Sequence, residues 1–596
     1  MSNKNGAENI HWDLSDLYES PSDPALETDI KEVIKKADEF NAAYRGKVAE
    51  LNASEFAKML QDYEEIVQLL GKIGSFSHLI WSTNTEDSEL GKLLQKANEL
   101  GSEVSQKLVF SDVEWLKVDD KKANKLIQSD ELEKWKHYLE VSRLYKDHAL
   151  SEEAEQVMSA KSVTGRAAWN RYFDETLGAA RFELNGEMLT EQEVLSKLHE
   201  PNRELRKKAH ASLTKTFRDH SRTLTFVFNT ILADKYTNDK LRNYDSWITS
   251  RNMSNQTDHE TVNALVTAVT DNYPLAQRYY KLKRKLLEVD EMFDYDRYAP
   301  ITKSTETVEW SEAKNMVLEA YADFHPEMSS IAGEFFEKNW IDAAIKPGKR
   351  GGAYSASTVT SVHPYVFMNF DGKLRDVQTL AHELGHGVHQ YLSRKQGELQ
   401  SSTPLTTAET ASVFGEMLVF NKLMNRLEDP SEKLALLVSK IDDTIATVFR
   451  QISMNRFEDK IHTARREQGE LSKEQFSAFW IETQKDLYGD SVTLTDEYKI
   501  WWSYIPHFLH TPGYVYAYAF GELLVLALYD SYKSQKNGFS DKYLSLLEAG
   551  GSDWPHNLVS GMGLDIKDKN FWSRGLDIFE RMVKAVSYTH SPSPRD

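Results

Sequence analysis

Apolar residues recur every three or four positions along most of this chain. Ile30, Val33, Ile34, Ala37 and Phe40 share one helical face, and Phe56, Met59, Leu60, Tyr63 and Ile66 share another. The same period returns over 86–110, 151–177, 203–240, 258–288, 311–338 and 429–467, and the 15 prolines leave few of these runs broken. The pattern predicts a mainly α protein. Two stretches depart from it. Arg181 to Thr190 reads RFELNGEMLT, two short alternating runs around Asn185-Gly186, which predicts a tight hairpin. Lys346 to Gly372 is rich in Gly, Ser, Thr, Val and aromatic residues, and Tyr365 to Phe370 has the composition of a strand. A small sheet is therefore expected just before the next helical run. Its strand either accepts a peptide backbone as an added strand or forms plain core sheet.

Length and composition narrow the class. A chain of 596 residues exceeds what one hydrophobic core usually supports, so more than one lobe is expected. We divide it into an N-terminal helical lobe over 1–200, with the hairpin near 181–190, a second domain over 201–586, and a disordered tail, SYTHSPSPRD, over 587–596. With 40% hydrophobic and 28% charged residues the chain has an ordinary globular composition. A net charge of −20 repels phosphate backbones and argues against nucleic acid as a partner. There is no cysteine, which excludes disulfides, thiolate catalysis and cysteine-held zinc. Met1 to Asp13 contains no apolar signal core. The longest apolar run, Phe520 to Tyr529, is interrupted by Glu522 and falls short of the roughly 20 residues a membrane span needs. A soluble, cytoplasmic protein with no membrane partner is expected.

The candidate chemistry lies at His382-Glu383-Leu384-Gly385-His386, an HExxH motif. On a helix, residues i and i+4 share a face, so His382 and His386 can both reach one Zn²⁺ at about 2.0–2.1 Å. Helical context is present. Asp376 is a candidate N-cap, and Val377, Leu380, Leu384, Val388 and Tyr391 form an apolar stripe on another face. Glu383, about 100° round from His382, is placed to take a proton from water without acting as a ligand. Gly385 and Gly387 cost about 1 kcal/mol each inside a helix, a cost met where something approaches the backbone closely. His389 reads as a hydrogen-bonded core histidine. Two histidines leave a catalytic zinc one protein ligand short, and the third histidine of the HExxHxxGxxH pattern is absent. The segment Pro404 to Arg426, with Thr406 or Thr407 as cap, offers Glu409 and Glu416 instead. They lie seven residues apart on one apolar helix, where a carboxylate is expensive unless it is paired or metal-bound.

These residues resemble the thimet oligopeptidase and oligoendopeptidase F family, and most closely its oligoendopeptidase F branch. The resemblance is carried by HWDLSDLY (His11 to Tyr18), GKRGGAYS (Gly348 to Ser355), TLAHELGHGVH (Thr379 to His389) and AETASVFGE (Ala408 to Glu416). It implies Glu409 as the third ligand of one zinc per chain, with Glu416 in support. It also implies that the segment IPHFLHTPGYVYAYAFGE, Ile505 to Glu522, faces the scissile bond, with His507 and Tyr514 first and Tyr518 next. His510 is the alternative histidine. Gly513 stands where the branch often carries a bulky aromatic, a departure expected to widen a subsite. The family's fold would be a two-lobed helical shell around a deep substrate channel, with 201–586 as the catalytic domain. The function implied is a zinc metalloendopeptidase that cuts internal bonds of short unstructured peptides. Glu383 would be its general base, and His507 and Tyr514 its oxyanion donors. Two other readings stay open: a zinc carboxypeptidase or dipeptidyl carboxypeptidase of the same superfamily, and a non-catalytic peptide-binding helical scaffold.

Overall fold

The computed structural model of the chain describes residues 5–302, 307–534 and 538–590. Helices dominate, and the first two bury the stripes their periodicity marks. Pro24–Tyr44 covers Leu26, Ile30, Val33, Ala37 and Phe40, and Ala53–Ser82 covers Phe56, Met59, Leu60 and Ile66. At the start of the second, Asn52 and Glu55 cap each other's backbone amides. The longer periodic stretches divide where the sequence offers a stop. Residues 258–288 become His259–Asp271 and Tyr273–Leu286, with Pro274 in the new first turn, and 311–338 become Trp310–Phe324 and Pro326–Glu337. The run 151–177 forms Glu152–Ser162 and Arg166–Ala179, with Gly165 at the joint, and 203–240 forms Arg203–Asp219 and Ser221–Leu241.

The chain forms two compact units, each from three separate stretches. The first gathers Met1–Glu152, Glu306–Asn425 and Ser531–Leu564, and the second Glu153–Thr305, Arg426–Asp530 and Asp565–Asp596. The boundary expected near residue 200 lies inside the second unit. The helices on either side of it, Glu191–Ser196 and Arg203–Asp219, pack together. They share a core in which Val194, Phe217 and Phe228 meet Phe457, Phe476, Trp480 and Trp502. The hairpin also belongs to this unit. Phe182–Leu184 pairs antiparallel with Glu187–Leu189, and Asn185 and Gly186 take φ of 54° and 90°, the left-handed pair of a two-residue turn. The tail expected over 587–596 begins as the end of helix Lys569–His590, and 591–596 lie outside the described residues.

The first unit holds the small sheet anticipated before the motif. Its order is Ile341–Asp342, Tyr365–Phe367, Tyr354–Ala356, with the first pairing parallel and the second antiparallel. Tyr365–Phe367 is shorter than expected, fully buried, and paired on both sides, so it has no edge to offer a further strand. Core sheet is the correct reading of this segment. The outer strand Tyr354–Ala356 is half-buried. Among the described residues no helix is long and apolar enough to cross a membrane.

Candidate functional site

Helix Leu374–Ser393 carries the HExxH residues and begins two residues before Asp376. Asp376 therefore works from inside the first turn. Its Oδ2 accepts the amides of Lys373 at 3.0 Å and Asp371 at 2.8 Å. Val377, Leu380, Leu384 and Val388 are fully buried as the stripe requires, and Tyr391 is half-buried. The two glycines have distinct reasons. A β-carbon on Gly385 would lie 2.5 Å from Ala411 O and 2.6 Å from Ser412 Cα, whereas one on Gly387 would meet the Phe335 ring at 2.7 Å. Gly415 answers Gly385 from the opposite helix, where a β-carbon would meet Ala381 O at 3.1 Å and the Tyr321 hydroxyl. Small residues on both partners let two backbones cross almost in contact.

The crossing helix was expected as one element within 404–426, capped by Thr406 or Thr407, but it starts at Leu405 and both threonines lie inside its first turn. It is also broken into Leu405–Ala408 and Thr410–Arg426, with Glu409 at the joint at φ −82° and ψ 1°. The joint brings Glu409 Oε2 within 3.4 Å of His382 Nε2 and 3.3 Å of His386 Nε2. Ser412 Oγ donates to the same oxygen at 2.7 Å. Ser412 was missed in the sequence, although its place three residues after Glu409 on a helix was the available signal. On the other side of the His382 ring, Glu416 Oε2 stands 3.5 Å from Nδ1. A carboxylate on the far nitrogen fixes the tautomer and leaves Nε2 free for a metal.

The three atoms fit a metal. Ligands set tetrahedrally at about 2.0–2.1 Å from one zinc stand about 3.3 Å from each other. His382, His386 and Glu409 present two imidazole nitrogens and one carboxylate oxygen, all within 4.8 Å of one another. Electrostatics agree with a cation-binding centre. Burial raises the Glu383 carboxyl above the ordinary range, opposed by the imidazoles of His382 and His386 and by the Ser355 amide. Glu383 is 7% exposed, so it is a base held in a dry setting. Burial acts against charge on His382, but the bond to Glu416 and the charges of Glu409 and Glu383 prevail and lift it to about 9. Burial likewise opposes charge on Glu409, and His386, His382 and Ser412 together hold it at about 2. His389, by contrast, is driven down to about 3 by burial and the neighbouring His386, which keeps it neutral in the core.

In the second unit the structure brings His507, Tyr514 and Tyr518 together. His507 Nε2 lies 3.2 Å from the Tyr518 hydroxyl, and the Tyr514 and Tyr518 rings meet edge-on at 4.8 Å. His507 and Tyr514 are near-parallel at 6.1 Å. His510 turns elsewhere, with Nε2 2.9 Å from Asp174 Oδ1. Burial, with the charge of Arg450 adding to it, lowers His507 below the ordinary histidine range, so at neutral pH it is an uncharged ring with one N–H. Gly513 has φ +76°, and a β-carbon there would lie 2.6 Å from Ile248 Cδ1. The glycine serves the turn before Tyr514, and its amide donates to the buried Glu458 Oε1 at 2.8 Å. That is a backbone requirement, in place of the widened subsite expected from the sequence.

A family model described as Peptidase family M3 matches residues 196–578. The chain belongs to that family. A second model, described as Oligopeptidase F, matches residues 114–182 of this M3 peptidase. Oligopeptidase PepF of Bacillus subtilis is 30% identical over 585 residues, covering 96% of this chain and 86% of the relative. An oligoendopeptidase F homolog of Borreliella burgdorferi is 27% identical over 587 residues, covering 97% and 98%. The crystal structure of oligoendopeptidase-F from Enterococcus faecium superposes with a TM-score of 0.72 at 23% identity, covering 94% of this chain and 97% of that one, and so shares the mainly α fold. This M3 chain is thus an enzyme, a metallopeptidase. The resemblance read from its motifs holds, and neither the exopeptidase nor the scaffold alternative is favoured.

Proposed function

We propose that this M3 peptidase is a zinc oligoendopeptidase that hydrolyses internal bonds of short unstructured peptides, with His382, His386 and Glu409 as the ligands of one zinc per chain. The observation that carries the reading is the convergence of His382 Nε2 and His386 Nε2 on Glu409 Oε2 at 3.4 and 3.3 Å, with the buried Glu383 beside them. Its relatives are themselves named as oligopeptidases and oligoendopeptidases.

Zn²⁺ held by these three residues supplies Lewis acidity to the scissile carbonyl and to water. Glu383 takes a proton from the attacking water and delivers it to the departing amine. Its raised affinity for protons, a result of burial, suits a base that must later act as an acid. Glu416 holds the His382 ring by its Nδ1, and Ser412 holds the Glu409 carboxylate, so the ligands are oriented before a metal arrives. The Ser355 amide of the outer strand bonds to Glu383, and its hydroxyl donates to Gln390 Oε1 at 2.8 Å, so this strand steadies the base on its helix. His507 and Tyr514 donate hydrogen bonds to the oxyanion of the tetrahedral intermediate, each commonly worth about 2.7–4 kcal/mol of barrier. Tyr518 holds His507 through the 3.2 Å contact. Short peptides are its partners, not nucleic acid or membranes, and the cytoplasm is its compartment.

The test joins metal content to a blocked substrate. Roughly one zinc per purified chain, and cleavage of a peptide acetylated at one end and amidated at the other, are expected. Cleavage that requires a free terminus would make the enzyme an exopeptidase, and metal-free protein with full activity would remove the zinc from the reading.

A further inference from the structure

Arg450 of the second unit is a guanidinium held by hydroxyl groups, with no carboxylate paired to it among the described residues. The helical pitch changes just ahead of it. Pro430–Thr444 is followed by a π turn over Ile445–Phe449, and the Arg450 amide bonds to Ile445 O, five residues back. Turns of this kind are frequent at functional sites. The guanidinium donates Nη1 to the Tyr298 hydroxyl at 2.7 Å and Nη2 to the Tyr504 hydroxyl at 3.3 Å. Its enclosed Nε meets no acceptor.

Among the described residues Arg450 forms no ion pair. Asp442, whose charge acts on Tyr298, is already held by Lys283 Nζ at 2.6 Å and by the Tyr279 hydroxyl at 2.7 Å. Glu191, which acts on Tyr504, has its carboxyl pushed up to about 7 by burial and makes no ion pair with Arg450. Burial and the second cation, Arg297, oppose the charge of Arg450, while Tyr298, Tyr504 and Tyr498 favour it and hold it above the ordinary arginine range. Burial alone would raise the Tyr298 hydroxyl, yet Arg450 and Arg297 together pull it below its ordinary range. A cation in this setting is costly unless an anion reaches it. Arg450, Tyr298, Tyr504 and His507 are all half-buried, while Phe449, Ile452 and Phe508 are sealed. The charge of Arg450 is felt at His507.

We propose that Arg450, held open by Tyr298 and Tyr504, receives a carboxylate of the peptide substrate, so that the enzyme selects peptides carrying a negative charge near the bond it cuts. A guanidinium fork suits a carboxylate, which it can bind through two parallel hydrogen bonds. The inference rests on the reading of His507 and Tyr514 as substrate-facing residues. The carboxylate has two possible sources, the C-terminus of a short peptide or an Asp or Glu side chain within it.

Four versions of one cleavable peptide separate these sources: free or amidated at the C-terminus, and with Glu or Gln beside the cut. On the wild-type enzyme one pair should differ roughly ten- to hundredfold in kcat/KM, as the loss of a charged hydrogen bond implies. Which pair differs names the source. Arg450→Gln should erase the difference, and Arg450→Lys should restore part of it. Equal kcat/KM for all four peptides on wild type overturns the proposal, and that result does not depend on whether any variant folds. A preference that Arg450→Gln retains overturns it too. His507→Ala, assayed alongside, tells the two failures apart. Normal turnover in that variant refutes the substrate-facing reading and this inference with it. Lost turnover with four equal peptides refutes the role of Arg450 alone.

Discussion

The close crossing of the two ligand-bearing helices can be opened by one methyl group. Gly385→Ala removes a helix-interior glycine and so gains about 1 kcal/mol of intrinsic propensity. The new β-carbon would stand 2.5 Å from Ala411 O, 2.6 Å from Ser412 Cα and 2.8 Å from Ala411 C, all backbone atoms that no side-chain rotation can move. Ordinary contact begins near 3.4 Å, so the backbones must part locally by about 0.9 Å. Overpacking of that kind costs about 1–3 kcal/mol, which leaves the fold only slightly weaker after the propensity gain. The metal should suffer more. Glu409 lies two residues before Ala411, and ligand distances tolerate only about 0.2 Å. Gly387→Ala is the control. There the obstacle is the Phe335 ring at 2.7 and 2.8 Å, a side chain on a helix that bears no ligand. The assay measures zinc retained per chain across a chelator series, with thermal melts and peptide cleavage on the same samples. Gly385→Ala should lose zinc at chelator concentrations about 10–100-fold below those that strip wild type and Gly387→Ala, comparable to the loss of a residue supporting a ligand. Wild-type zinc retention and turnover in Gly385→Ala would refute the idea that this crossing sets the third ligand.

Glu383→Gln should keep its zinc and lose at least about a hundredfold in kcat, because the ligands survive and the proton acceptor does not; more than a hundredth of wild-type turnover would rule out the general base. Glu409→Ala should lose zinc outright on dialysis, while Glu416→Ala should weaken it about 10–100-fold, and equal metal content in wild type and Glu409→Ala would move the ligand elsewhere. Tyr514→Phe should lower kcat and kcat/KM together, since an oxyanion bond matters in the transition state; an effect confined to KM would make Tyr514 a ground-state contact. Glu458, whose carboxyl burial raises to about 8, gives a pH signature. Its folded value lies above the ordinary 4.5, so the native state holds the extra proton and its stabilisation fades as pH rises through that window, by about 1.4 kcal/mol per pH unit. Glu458→Gln has no proton to lose and can still accept the Gly513 amide, so it should melt above wild type at pH 9 and close to it at pH 5. Parallel melting curves at both values would reject a protonated Glu458.

What could be read in the sequence was local, and what escaped it was tertiary. The period of four that unites His382 and His386, and the left-handed turn that Asn185-Gly186 demands, are each settled within a few residues. The choice between Glu409 and Glu416 is not, because seven residues return either one to the same helical face. A break at Glu409 gives that side chain the two Nε2 atoms and leaves Glu416 the far nitrogen of His382. No proline or glycine in Glu409-Thr410-Ala411-Ser412 announces the break. Likewise Tyr365 to Phe370 has the composition of a strand, but pairing with 341–342 and 354–356 decides that it is the central one. Arg450 was the best concealed. Ile445, Val448, Phe449 and Ile452 keep the α spacing through the π turn, so the run 429–467 reads as one helix with no inserted residue. Nor can a sequence show that an arginine lacks a counter-charge, because that depends on where Asp442 and Glu191 spend theirs. In the fold Asp442 is taken by Lys283 and Tyr279, and Arg450 is held by the hydroxyls of Tyr298 and Tyr504 with its Nε unpaired, so its fork has room for a carboxylate from a ligand.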